Sequence, residues 1–440
     1  MTFANRVLYD GLYTFVLRML NILCAMGMGI LTARLLGPAG KGLYALPSVE
    51  AGLIASGFAG LSGAMSYFLL HNKTGPAIMR PAIVSTIVFV LVGAVAIVPI
   101  AFLAGERWAA WPAIVSLPAA AAVSLCTGYA IGVKRVRHAT TLSVAVTVAT
   151  FILIACGLFL IGRTASVAIV MWIVANTLVA LAATVAMLWH ARTLEGNEVP
   201  TTREFLHFSV RVGLVQLISL LNYRADLYIV AIMTTPAALG IYTVAVSAAE
   251  SLLVPTQVAA LVTSPHIGSL DREAAALLAA RCVRNNVLVA AAVCGLIFVC
   301  SMPIVRLLYG AAFLGVVPAL RILLIGVFAL SLGSPISSYF TLKLGKPEVA
   351  LWLAGGAAAI CLSISIALVP SLGISGAATG STVAYIAGQA AAIWYFTRTT
   401  GLSWRTLLIP TRAEAALYAQ FALRVFRDAR ATLGPTTQRP

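Results

Sequence analysis

Charge is what this sequence has least of. Asp, Glu, Lys and Arg make up 10% of its 440 residues, whereas a soluble domain carries about 25%. So few charges cannot coat a water-facing surface of this size, and a soluble enzyme or soluble binding module is excluded. Acids are the scarcer sign, 13 against 29 Lys and Arg, for a net charge of +16. A basic chain attracts phosphate. Here, however, the cations sit in short stretches between apolar runs and in a tail, which is a topological pattern and excludes nucleic acid as the partner.

Cysteine is sparse and scattered. Seven occur, all but Cys282 inside apolar runs and none in a C-x-x-C pair, which excludes a disulfide framework and a zinc knuckle. The five histidines (His71, His138, His190, His207, His266) show no i, i+4 spacing for a metal, and no nucleophile elbow or zinc-protease motif is present. No catalytic residue, metal site or cofactor is expected. Gly37-Pro38-Ala39-Gly40-Lys41-Gly42 looks like a phosphate loop. It lacks the spacing, the hydroxyl residue and the preceding strand that such a loop needs, and reads as a tight outer turn.

Apolar length is what abounds. Hydrophobic residues make up 61% of the chain and the mean hydropathy is +1.00. A helix crosses a bilayer with about 20 apolar residues. Twelve such spans are expected: Gly11–Leu35, Leu43–Leu70, Pro81–Leu103, Ala109–Val133, Thr141–Ile161, Ser166–Trp189, His207–Thr234, Ala238–Val262, Asn286–Leu308, Pro318–Thr341, Val349–Leu368 and Ile374–Phe396. The run after Arg6 is too long for a signal-peptide core and is expected to stay as the first helix. Lys and Arg gather on cytoplasmic loops. With the N-terminus inside, twenty fall on that side and only Arg34, Lys41, Arg107, Arg163 and Arg306 outside, so both ends are expected in the cytoplasm. The fold class is an all-α polytopic membrane protein.

A displacement of 198 residues lays Pro38-Ala39-x-x-Gly42-Leu43-Tyr44 over Pro236-Ala237-x-x-Gly240-Ile241-Tyr242, and sets Arg18 opposite Gln216. Six spans per half is an even number, so the halves enter the membrane in the same direction, related by a pseudo-two-fold axis along its normal. The expected organisation is a six-helix half over 1–195, a second over 196–400 and a basic cytoplasmic tail over 401–440. Asp271–Arg284 reads as an interfacial amphipathic helix. Thr411-Arg412-Ala413-Glu414 reads as a capping box that opens a basic amphipathic helix through about Arg430.

Charges inside spans are costly and mark sites or structural pairs. Arg18, Arg211, Arg224 and Arg321 fall within spans, and Asp226 and Glu250 accompany Arg224. Counted from Thr234 at 1.5 Å per residue, Asp226 lies about 12 Å deep and Arg224 about 15 Å. Glu250, in the antiparallel eighth span, lies about 18 Å deep. An Arg fork binds phosphate bidentately and stays charged, so the functional reading is a cationic pyrophosphate site with carboxylates that balance it. The structural alternative is an ion pair that fixes helix register. Snorkelling to an interface is the competing reading for Arg18, Arg211 and Arg321. Glu50 is expected to be structural.

Ala33-Arg34-Leu35-Leu36-Gly37-Pro38-Ala39-Gly40-Lys41-Gly42-Leu43-Tyr44 resembles the first loop of the polysaccharide flippase family, in the multidrug/oligosaccharidyl-lipid/polysaccharide exporter superfamily. Tyr223-Arg224-Ala225-Asp226, Leu239-Gly240-Ile241-Tyr242 and Ala249-Glu250 resemble its second-half signature; Leu307–Gly310 and Gly373–Ala378 resemble later turns. Lys41 departs from the neutral or aromatic residue usual in that turn. The resemblance implies twelve helices in two bundles around a cationic cavity, and undecaprenyl-pyrophosphate-linked oligosaccharide flipped from the inner to the outer leaflet of a bacterial cytoplasmic membrane. Coupling to H+ or Na+, and a polysaccharide polymerase and chain-length machinery as partners, belong to the same expectation. An ion-coupled multidrug/cation antiporter of this superfamily and a membrane polysaccharide polymerase are the alternatives.

Overall fold

The computed structural model describes residues 3–71, 76–103, 107–194, 199–411, 414 and 416. Among them every regular element is helical. In a bilayer the backbone must satisfy its own hydrogen bonds, and runs of this length do so as helices. Nine helical stretches among the described residues are long and apolar enough to cross a membrane, and the chain is a multi-pass membrane protein.

The first two expected spans are two helical segments on either side of Gly37, together labelled α1 (Phe3–Gly57), and the second is continued by α2 (Ala59–Leu70). α1 kinks at Gly37, where φ is 66° and ψ −179°. That left-handed φ suits glycine, and Pro38 restarts the helix with its ring-fixed φ. The turn expected over Gly37–Gly42 is concentrated at Gly37, where one helical segment ends, and residues 38–42 already belong to the next. Next come α3 (Met79–Leu103), α4 (Ala110–Gly132), α5 (Val136–Leu160) and α6 (Ala165–Ala191), each at the place of an expected span. α7 (Thr202–Met233) opens on a capping box in which Thr201 and Glu204 bond each other's backbone N–H.

Proline breaks two of the later spans. The eighth becomes α8 (Pro236–Ser251) and α9 (Val254–Ser269). Pro255 has no N–H and its ring clashes with the carbonyl four residues back, that of Ser251, the last residue of α8. The tenth becomes α11 (Val317–Ser331) and α12 (Gly333–Ser338) by the same rule, with Pro335 opposite Ser331. A π-helical turn over Tyr339–Lys343 follows. Between these lies α10 (Arg272–Leu308), in which the expected amphipathic segment and the ninth span run on as one 37-residue helix. Asp271 Oδ1 caps it by accepting from Ala274 N at 2.7 Å. α13 (Pro347–Leu372), α14 (Ile374–Thr400) and α15 (Trp404–Leu408) complete the described chain. Each of α8 and α9 has 16 residues, below the length that crosses hydrocarbon alone.

The chain divides into two compact units. One comprises residues 1–247, 302–319 and 358–380. Phe58, Leu61, Met65, Leu117, Tyr129 and Phe205 belong to one of its cores, where α2, α4 and α7 meet. Small residues set the spacing. A Cβ on Gly60 would lie 2.0 Å from the Ser209 carbonyl oxygen, so α2 and α7 touch backbone to backbone. In the same unit Arg34 donates through Nε to Leu308 O at 2.7 Å and through Nη2 to Leu307 O, meeting carbonyls that α10 leaves open at its end.

The other unit comprises residues 248–301, 320–357 and 381 onward, with a core of Ala279, Val283, Ile336, Tyr339, Phe340 and Phe396. Asn286 Nδ2 donates to Ser331 O at 2.9 Å and Thr382 Oγ1 to Ile322 O at 2.8 Å, cross-helix bonds that replace water in an apolar interior. Arg284 pairs with Glu414 at 2.9 Å and donates to Thr406 O at 2.6 Å. Glu414 and Thr411 make the reciprocal bonds of the expected capping box, at 2.9 and 3.3 Å. The helix expected from there to Arg430 lies outside the described residues. These units follow packing, a different cut from halves defined by a repeat in the chain.

Candidate functional site

α7 carries the densest polar stretch inside a long apolar helix, Tyr223-Arg224-Ala225-Asp226. Asp226 is 2% exposed. Its Oδ2 accepts from Tyr242 Oη of α8 at 2.6 Å and its Oδ1 from Leu227 N at 2.8 Å. Tyr242 is fully buried. A buried carboxylate needs donors, and these two hold Asp226 in one rotamer and join α7 to α8. Arg224, two residues and about half a turn before Asp226 on the same helix, is half-buried, and Tyr223 is exposed. Glu250 is half-buried near the end of α8.

The other span cations differ in setting. Arg18 and Arg211 are exposed. Arg321, in the second unit, donates through Nε to Ser301 Oγ at 2.9 Å and Phe298 O at 3.2 Å, with its guanidinium 5.3 Å from the Phe298 ring centre. It is a helix-to-helix clamp on α10.

Sequence reasoning missed a second polar cluster. Lys41, expected on an exposed outer turn, is 8% exposed. Its Nζ donates to Thr32 Oγ1 at 2.7 Å and lies 5.5 Å from the Tyr44 ring centre. Among the described residues no carboxylate lies within ion-pair distance of it. Nearby in sequence, Glu50 is 2% exposed, and both its carboxylate oxygens are buried without a hydrogen-bond partner among the described residues. A signal was present. Under the 198-residue displacement Lys41 falls on Leu239, an apolar position, and Leu239 is 1% exposed.

That displacement organises both clusters. Tyr44 falls on Tyr242 and Met28 on Asp226, so the Tyr242–Asp226 bond has a counterpart in Tyr44 Oη to Met28 Sδ at 3.9 Å. Lys41–Thr32 has its counterpart in Leu239 and Val230, both buried and apolar. Each copy of the frame holds a tyrosine in the same place. The charge is a carboxylate in one copy and an ammonium in the other.

No curated protein matches the chain in sequence. Its fold matches that of the lipid II flippase MurJ in an inward closed conformation, with TM-score 0.70 and 14% identity over 96% of this chain and 99% of that one. An inward-facing multidrug resistance MATE family transporter of the MOP superfamily matches with TM-score 0.68 and 17% identity, over 89% and 98%. A MOP superfamily transporter from Pyrococcus furiosus matches with TM-score 0.61 and 16% identity, over 89% and 94%. At these identities the likeness is one of fold. Residues 30–318 match the family described as polysaccharide biosynthesis protein, and on that extent the chain belongs to this family.

Proposed function

We propose that this protein is a flippase that carries undecaprenyl-pyrophosphate-linked oligosaccharide from the inner to the outer leaflet of a bacterial cytoplasmic membrane for surface polysaccharide synthesis, including exopolysaccharide or O-antigen. The observation that carries this reading is the family match over residues 30–318 in a transporter fold. A polysaccharide biosynthesis chain with nine helical stretches of membrane-crossing length among its described residues has a lipid-borne intermediate to move rather than a soluble sugar to modify.

Arg224 is the principal phosphate ligand in this reading. A guanidinium keeps its charge in a low-dielectric cavity and grips a pyrophosphate with parallel N–H bonds. Asp226, held by Tyr242, sets the helix position from which Arg224 projects. Arg18 and Arg211, both exposed, receive the headgroup before it reaches Arg224. Arg321 contributes through the helix contact it already makes. Twelve spans in two parallel six-helix halves, with both termini in the cytoplasm, alternate access around this site, driven by an H+ or Na+ gradient. A polymerase and chain-length machinery take the product at the outer face.

The test is the leaflet distribution of lipid-linked oligosaccharide in cells that lack the gene. Trapping on the cytoplasmic leaflet, relieved by the wild-type gene and not by Arg224→Ala expressed at equal level, supports the reading. A normal distribution, with altered sensitivity to cationic drugs, overturns it in favour of a cation antiporter.

A further inference from the structure

We infer that the first compact unit holds a second binding site, for an anionic sugar, in a cavity built around Lys41 and separate from Arg224. The cavity has a volume of about 360 Å³ and is lined by Lys41, Tyr44, Thr147, Thr150, Trp172 and Asn176 among others. All of them belong to the unit that contains residues 1–247. Its volume lies at the low end of small-molecule pockets, about 300–1,000 Å³, which suits one sugar ring with its charged substituent.

The chemistry of the lining selects the class. Lys41 is more than nine-tenths buried, yet no carboxylate answers its charge among the described residues. An ammonium has three N–H donors, and Lys41 uses one on Thr32. The Tyr44 ring stands beside it. A buried cation without a counter-charge is stable only when something of opposite sign or strong dipole completes it, and the open side of Lys41 is this cavity. Phosphate or carboxylate fits that requirement.

The rest of the lining fits a ring rather than a bare ion. Trp172, half-buried in the lining, supplies the flat apolar surface for the C–H face of a pyranose, and Tyr44 closes the wall beside Lys41. Asn176 is held by its own Nδ2–H donated to Trp172 O at 2.8 Å, which leaves its carbonyl to accept from a sugar hydroxyl. The Thr147 hydroxyl donates to Ser143 O at 3.3 Å and its oxygen remains an acceptor, and Thr150 adds a second hydroxyl to the lining. A cationic drug is disfavoured here by the same charge that favours an anion. The repeat sharpens the assignment. The matching positions of the second copy, Leu239 and Val230, are buried and apolar, so the frame does not need a cation at this place.

Calorimetric titration of the purified full-length protein in lipid nanodiscs tests this, with glucose 1-phosphate, glucose and inorganic phosphate as probes. Binding needs no transport, so failure of flipping leaves it standing, and failure of binding leaves the flippase reading standing. Glucose 1-phosphate is expected to bind at least tenfold more tightly than either other probe. Lys41→Met and Asn176→Asp should each weaken it at least tenfold, and Lys41→Arg by less than threefold. Inorganic phosphate binding as tightly as glucose 1-phosphate overturns the sugar class. Equal binding of glucose, or affinity unchanged in Lys41→Met and Asn176→Asp, overturns the site. Should Lys41→Met fail to fold, Asn176→Asp decides, because it adds a negative charge to the lining without removing the ammonium.

Discussion

Gly42 and Gly240 face each other across α1 and α8, each against the other's preceding proline. A Cβ on Gly42 would lie 1.6 Å from Pro236 O, and one on Gly240 would lie 2.2 Å from Pro38 O. The contact is reciprocal: Pro38 and Gly42 stand to Pro236 and Gly240 as the latter stand to the former. A local two-fold axis passes between them, as a self-complementary contact requires. These are the same four residues that align under a shift of 198.

Gly42→Ala and Gly240→Ala should therefore be among the most damaging small substitutions in the chain. Overpacking costs about 1–3 kcal/mol where neighbours can give; here the neighbour is backbone, so the upper end is expected. Gly29→Ala and Gly355→Ala, where nothing lies within 4 Å of an added Cβ, are the neutral controls. Thermal melting of the detergent-purified variants checks this, and equal melting of all four variants would refute it.

Tyr242→Phe should cost more than Tyr44→Phe. The first leaves a buried Asp226 short of a 2.6 Å donor, a loss of about 1–3 kcal/mol. The second removes a hydroxyl from a thioether at 3.9 Å, a weak acceptor whose loss is close to neutral. Parallel melts, with leaflet transport measured beside them, separate the two.

Glu50→Met should hold or raise stability. A buried acid with neither oxygen bonded to a described residue is a desolvation cost without return, and replacing buried charge by a packed apolar side chain is neutral to stabilising by about 1–4 kcal/mol. A melting temperature lowered by several degrees would show that Glu50 has a partner it needs.

The Arg284–Glu414 contact should be lost in acid. The Arg284 guanidinium, bonded to Glu414, pulls that carboxyl down from its usual range to about 2, helped by the Thr411 backbone and hydroxyl. The folded value lies below the ordinary one near 4.5. The contact is therefore fully present above about pH 4.5 and fades as the pH falls through about 2. A spin label at Ala416→Cys should gain mobility over that window, and Glu414→Gln should show the loosened spectrum at every pH. Mobility that is flat from pH 6 to 2 in the unsubstituted background would argue against the tether.

Arg321→Ala should lower stability through its lost contacts with Ser301 and Phe298 while headgroup capture falls less than in Arg224→Ala. A transport assay at matched expression distinguishes them. Equal loss in both would make Arg321 a ligand in its own right.

Apolar runs of span length by themselves determined the helical class and the place of most helices, because lipid leaves the backbone one local solution. Local rules also reached the capping box at Thr411 and the displacement by 198; the box at Thr201 follows the same rule but came from the structure. Pro255 and Pro335 could have been read as breaks, since the clash with the fourth carbonyl back is local. Packing alone decided the rest. Tyr242 reaches Asp226, and Lys41 reaches Thr32, through helix faces whose rotation no pattern of apolar residues specifies in a chain apolar on nearly every side. In water a polar stripe would mark the outside; in lipid the outside is apolar too, and only the assembled helices show which charges turn inward.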